Sequence, residues 1–173
     1  MRSTKPYSNV TFTKRVDHEA GRHRTRRAPA EPLLCTQCGA IYKRRRWISP
    51  ESLAVVPIDV GSSTSRRTLC PPCWQRWDGL PSGFVRAEGA FAVAHVDEIE
   101  RLLSNEAERA ALNNHTARIL TWDRATPGVL ELTTTTPHLA QRLGHALEKA
   151  FTGTVEYDFS HENAVARVTW HRD

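Results

Sequence analysis

The 173-residue sequence predicts an α+β protein in three parts: a basic, flexible N-terminal arm (1–30), a four-cysteine zinc ribbon with an inserted loop (31–80), and an α+β domain (81–173). Three observations carry this division. Cations crowd the start of the chain, all four cysteines fall between Cys35 and Cys73, and apolar residues at helical and strand periods gather after residue 80.

The charge is split. Residues 1–46 hold 12 Lys/Arg against 3 Asp/Glu, whereas residues 47–173 hold 12 against 16, so the net charge of +5 combines a basic front with an acidic body. Apart from Val10 and Val16 the first 30 residues have almost no large aliphatic side chains, and Arg22, Arg24, Arg26 and Arg27 lie beside prolines in "GRHRTRRAPAEP". Such a segment cannot bury enough apolar area to offset the entropy of ordering, so it is expected to order only on a partner. Its charge points to a polyanion; a solubilising tail is the plainer alternative. No stretch approaches the roughly 20 apolar residues of a membrane helix. The start of the chain also lacks the apolar core of a secretion signal. The expectation is a cytoplasmic protein with no membrane partner.

Cys35, Cys38, Cys70 and Cys73 form two Cys-x-x-Cys pairs, with Gly39 after the first and Pro71-Pro72 inside the second. Thiolates chelating from two tight turns are the spelling of a four-cysteine zinc ribbon, in which a structural Zn²⁺ closes a fold too small for a core. The 31 residues between the pairs exceed the usual spacing, but loop closure grows only logarithmically with length. "SPESLAVVPIDVGSSTSRR" reads as an inserted loop or short hairpin there, ended by the Gly61–Ser65 run. The alternative, disulfide or redox chemistry, needs a βαβ context that neither pair has. Four thiolates fill the coordination shell and leave no position for an activated water.

The first pair runs into "YKRRRW". Read as one strand over 41–48, it puts Lys43 and Arg45 on one face and Arg44 and Arg46 on the other, where they are expected to contact phosphates while Trp47 stacks on an unpaired base. Packing within the ribbon is the competing role for Tyr42 and Trp47, and the expected main role for Trp74 and Trp77.

After Gly83 the pattern is helix, hairpin, helix, hairpin. "VDEIERLLSNEAERAALNN" sets Val96, Ile99, Leu102, Leu103 and Ala110 at helical spacing. "ARILTWD" and "VLELTTT" flank a turn at Ala125–Gly128. "TPHLAQRLGHALEKAFTG" offers Thr136 as N-cap, Pro137 in the first turn, the stripe Leu139, Leu143, Leu147 and Phe151, and Gly153 past the end. "TVEYDFS" and "VARVTWHR" are two more strands. The expected domain is a small antiparallel sheet with two helices on one face.

Little else carries chemistry. The eight histidines are scattered, none beside a spare cysteine, and no metal role follows from them. The run Thr133–Thr136 could receive a phosphate at a helix N-terminus, but a strand end plus an N-cap accounts for it. With no phosphate-cradling glycine loop, nucleophile elbow or carboxylate pair beside a base, the expectation is a non-enzyme.

The strings "CTQCGAIYKRRRW", "CPPCWQRWDGLPSG", "HVDEIERLLSNEAERAALNNHTARIL" and "LTTTTPHLAQRLGHALEKAFTGTVEYDF…ARVTW", over about residues 15–172, resemble a family of short bacterial zinc-ribbon proteins that is itself uncharacterised. More distantly they are similar to the N-terminal part of the archaeal and eukaryotic adaptor for large-ribosomal-subunit maturation and export. That adaptor carries more Cys-x-x-Cys motifs and further domains. The resemblance implies docking on the ribosome or ribosomal RNA, with the large subunit as partner, in assembly, quality control or dormancy. The open alternatives are a protein-interaction adaptor that uses the α+β domain and keeps the arm as a tether, and a DNA-binding regulator, although no helix-turn-helix is present.

Overall fold

The structure, a computed structural model, describes residues 32–50, 66–126, 128–160 and 164–173. The arm with Arg22, Arg24, Arg26 and Arg27, and most of the inserted loop, lie outside the described residues.

The N-terminal part is a four-stranded sheet followed by a helix. Strands β1 (Leu33–Cys35), β2 (Ile41–Lys43), β3 (Arg46–Ile48) and β4 (Arg66–Thr68) lie in the order β3-β2-β1-β4, with β4 parallel to β1 and the other pairs antiparallel. Helix α1 (Pro71–Asp78) follows at once. Two sequence expectations are corrected here. Residues 41–48 are a hairpin rather than one strand: Lys43 pairs with Arg46, and Arg44 and Arg45 form the two-residue turn with φ of 51° and 63°. The second Cys-x-x-Cys is not a second tight turn. Pro71 and Pro72, read as turn formers, begin a helix, because proline's fixed φ and missing N–H suit a first helical turn as well as a bend.

The C-terminal part begins with a strand that the periodicity did not reveal. The elements are β5 (Gly83–Glu88), α2 (Ala90–Ala94), α3 (Val96–Asn113), β6 (Ile119–Asp123), β7 (Val129–Thr134), α4 (Pro137–Phe151), β8 (Thr154–Ser160) and β9 (Val165–His171). The sheet order is β6-β7-β5-β9-β8. β5 is thus central, antiparallel to β7 and parallel to β9. The expected helix-hairpin-helix-hairpin order therefore lacks its first strand and one short helix, and the sheet is mixed rather than antiparallel.

The core lies between this sheet and the helices. Val85, Ala87, Leu130, Leu132, Val168 and Trp170 from the strands meet Leu139, Leu143 and Leu147 of α4, and Ile99 and Leu103 of α3 join the same cluster. Helix α4 has the expected cap: the Thr136 hydroxyl accepts the Leu139 N–H at 3.2 Å. It also comes unusually close to the sheet, since a Cβ on Gly144 would stand 2.5 Å from a Val168 methyl. Among the described residues no helix is long and apolar enough to cross a membrane.

Candidate metal centre

Each cysteine is placed by local backbone chemistry. Cys35 ends β1. Its N–H donates to the Ala40 carbonyl at 2.8 Å and its own carbonyl accepts the Gly39 N–H at 3.0 Å, a tight turn that brings Cys38 back beside it. Gly39 sits at φ 72°, where a side chain would be strained. Cys70 is the N-cap of α1 in extended conformation, its carbonyl accepting the Trp74 N–H at 2.9 Å, and Cys73 lies in the first turn. The second pair therefore presents its sulfurs at a helix N-terminus, where the aligned peptide dipoles favour negative charge.

The four sulfurs lie within 4.8 Å of one another, and Cys38 Sγ is 3.5 Å from Cys70 Sγ. Thiolates around a tetrahedral ion at about 2.3 Å stand roughly 3.8 Å apart, so the four cysteines fit a metal. All four are free thiols. Their protonation is uneven. Burial alone would raise Cys35, but N–H donation from Cys70, Cys38 and Gln37 outweighs it and brings this thiol down to about 7. Burial pushes Cys73 up to about 11, and raises Cys70 also. Four thiolates cannot coexist here without a cation. The Cys70 N–H already points at Cys35 Sγ, 3.3 Å away, in the manner of an outer hydrogen bond to a metal-bound sulfur.

Sequence reasoning missed two groups. His115, in the loop between α3 and β6, is buried, with Nε2 3.8 Å from Cys38 Sγ. The sequence assigned no role to the scattered histidines, and a separation of 77 residues gives no local signal that this one stands beside Cys38. Gln75 of α1 is also buried, and its Nε2 donates to the Thr135 carbonyl at 2.9 Å and to Ser82 Oγ at 3.2 Å, tying the cysteine-bearing part to the larger domain.

The cations collect at the other end of the small sheet. Leu33 pairs with Tyr42 on one side and Arg66 on the other, so Arg66 enters β4 at the end where β2 reaches Lys43 and the Arg44-Arg45 turn. Arg44, Arg45, Arg46, Arg66 and Arg67 are exposed, and Lys43 is partly so. Among described residues 32–50 and 66–80, Asp78 is the one acidic side chain. Trp47 packs against the cysteine cluster, its ring 5.4 Å from Tyr42, so packing accounts for it. Trp77, expected in the packing, is 78% exposed.

The α+β domain has a second surface, the sheet face opposite its core. Phe84, Arg86, Thr121, Glu131, Thr133 and Arg167 line a shallow groove of about 370 Å³ there. Its charges are matched internally: Arg86 pairs with Glu88 at 2.7 Å and Glu131 at 2.6 Å, and the Arg167 guanidinium lies 5.3 Å over the Phe84 ring.

The geometry thus gives a four-sulfur cluster that fits a metal ion at one end of a small sheet and a cationic tip at the other. Comparison with protein-family models, curated proteins and solved structures finds no match to this chain.

Proposed function

We propose that the protein is a non-enzymatic, cytoplasmic zinc protein that binds the ribosome or ribosomal RNA on the large subunit, acting in assembly, quality control or dormancy. The metal is Zn²⁺ in a structural role: Cys35, Cys38, Cys70 and Cys73 supply four soft donors within 4.8 Å of one another, enough to fill its shell.

The observation that carries the reading is the hairpin tip. Two-residue turns with positive φ at both central positions favour Asn-Gly strongly, and a left-handed residue with a side chain costs about 1–2 kcal/mol. Arg44 and Arg45 occupy both positions. A costly conformation kept by two guanidiniums, flanked by Lys43 and Arg46 and with Arg66 at the same end, points to a role for the charges themselves. Guanidinium groups pair bidentately with phosphate oxygens, so RNA backbone is the polyanion that suits them. Arg22, Arg24, Arg26 and Arg27 of the arm would add phosphate contacts, and the resemblance in "CTQCGAIYKRRRW" and the later strings agrees with a ribosomal partner.

The test is co-sedimentation of the zinc-loaded protein with separated ribosomal subunits, stepped in salt, beside one variant neutralised at Arg22, Arg24, Arg26 and Arg27 and another at Lys43–Arg46. An RNA-backbone contact releases with a log–log salt slope of about −0.7 to −0.9 per phosphate, and both variants lower the affinity. A shallow slope with unchanged affinity in both variants sinks the reading. The sheet groove around Phe84 and Arg86 favours a second reading, a protein-interaction adaptor, under which both variants keep their partner.

A further inference from the structure

We infer that His115 is a positioning residue for the metal centre: from the α+β domain it donates its Nε2–H to the Cys38 sulfur, so that holding the metal and docking the two halves of the protein become one equilibrium. This rests on the four cysteines being a metal site.

The hydrogen is located by elimination. Arg118 NH2 lies 3.0 Å from His115 Nδ1, and its Nε donates to the His115 carbonyl at 3.2 Å. A guanidinium only donates, so Nδ1 is an acceptor and the ring hydrogen sits on Nε2. Nε2 is the atom 3.8 Å from Cys38 Sγ, within the longer reach of an N–H···S bond. The ring is held in place by more than Arg118. Thr135 Oγ1 accepts the Arg118 backbone N–H at 2.8 Å and donates to the Thr116 carbonyl, while the Thr135 N–H donates to the Arg118 carbonyl at 2.9 Å. Thr135 is in turn the residue whose carbonyl takes the Gln75 amide from α1. The contacts His115 to Cys38 and Gln75 to Thr135, with a longer one from Arg76 to the Ile119 carbonyl at 3.5 Å, thus cross between the halves around one part-buried hydrogen-bonded corner.

The chemistry gives the contact a purpose. Four thiolates around a divalent ion carry a net charge of −2, and each N–H···S bond withdraws charge from the sulfur it reaches. Cys35 receives its N–H from Cys70 within the same module. Cys38, only partly buried, receives one from His115, which also covers it. By linkage, whatever factor His115 adds to metal affinity the metal adds to docking of the α+β domain.

The experiment loads the full chain with ¹¹³Cd²⁺, which takes the same sulfur donors, and records a ¹H–¹¹³Cd correlation that detects hydrogen bonds to metal-bound sulfur. A cross peak from the Cys70 backbone N–H serves as the internal standard. The inference requires a second peak from an imidazole N–H, absent in His115→Phe. A Cys70 peak without an imidazole peak in the wild-type protein overturns it, whether or not the variant folds. Alkylation of Cys38 by iodoacetamide in the zinc-loaded protein gives a second readout. His115→Phe is expected to react about tenfold faster, and His115→Gln, which keeps an amide donor, at an intermediate rate. Equal rates in all three proteins overturn the inference. Failure to bind cadmium at all removes the metal reading beneath it, an outcome distinct from a loaded protein that lacks only the imidazole peak.

Discussion

The two halves of the protein reach order by different routes. In the α+β domain, apolar burial does the work: Trp170, Leu139, Leu143, Leu147, Ile99 and Leu103 are almost inaccessible and form one continuous cluster. Around the cysteines the buried cluster is Cys35, Ala40 and Cys70, with Cys38, Trp47, Leu69 and Cys73 half-buried beside it. Leu33, Ile41 and Tyr42 are buried in the small sheet as well, but this is still little apolar area against the entropy of ordering four short strands and a helix, and a metal on the four cysteines would supply the difference. Each half is therefore fragile in its own way. One fails when its core is cut, the other when its ion is removed.

The largest expected effect is metal removal. Structural zinc contributes on the order of 10–16 kcal/mol of apparent binding free energy at neutral pH. Chelation, or Cys70→Ser, is expected to abolish amide-exchange protection over 32–50 and 66–78 and to loosen the His115–Arg118 corner. Protection in α4 and β9 should remain. Hydrogen exchange with peptide resolution checks this; loss of protection in α4 together with the cysteine part would mean that the halves share one cooperative unit.

Next in size is a cut in the large core. Trp170 is fully buried, its indole N–H donates to the Thr152 carbonyl at 2.7 Å, and its ring meets Phe91 edge-on at 6.1 Å. Trp170→Ala should lose about 3–5 kcal/mol in a denaturant titration, and where the α+β domain unfolds the cysteines should hold zinc more weakly by the factor His115 contributes without releasing it outright. Zinc loss in parallel with unfolding would again break the separation. A smaller cost, about 1–3 kcal/mol, is expected for Gly83→Ala, from overpacking where β5 passes under α4. The new Cβ would stand 2.2 Å from Thr134 Oγ1 and 2.7 Å from the Ala140 Cβ. Thermal unfolding measures it; an unchanged midpoint would show that the strand and helix can move apart.

That close approach also explains what the sequence concealed. Helix α4 was legible because cap, proline and leucine stripe all spell one element. Strand β5 was not, because it is buried by its neighbours rather than by its own side chains: its core face is Gly83, Val85 and Ala87, small enough to admit α4, and the other face carries Phe84, Arg86 and Glu88. "SGFVRAEG" therefore reads as a loop until the partners on both sides are known. That the four cysteines come together was legible from their spacing, since each Cys-x-x-Cys pair is a local object. The helix carrying Cys73 was not, because two prolines spell a turn and a helix start alike. His115 was invisible for a different reason: its tie to Cys38 exists only once the loop between α3 and β6 lies beside the cysteines. The turn at the cationic tip gave no signal because arginine is nearly the opposite of what such a turn prefers.

The smallest effect tests that last point, and its sign is opposite to the others. Replacing Arg44-Arg45 by Asn-Gly supplies residues that accept positive φ readily, so the left-handed cost is relieved and the hairpin gains stability, by about 1 kcal/mol or more. Lys43 and Arg46 stay paired across the turn, and the fold of the tip is kept. If the charges hold the strained turn for the sake of a polyanion, the same variant loses affinity for ribosomal RNA and its salt slope becomes shallower by roughly the two phosphates no longer neutralised. Thermal unfolding and a salt-stepped binding titration on one protein read both quantities. Gain of stability with loss of binding marks a turn kept for its charge. Gain of stability with binding intact would move the polyanion contact away from the tip and leave the strain at Arg44 and Arg45 without a functional cause.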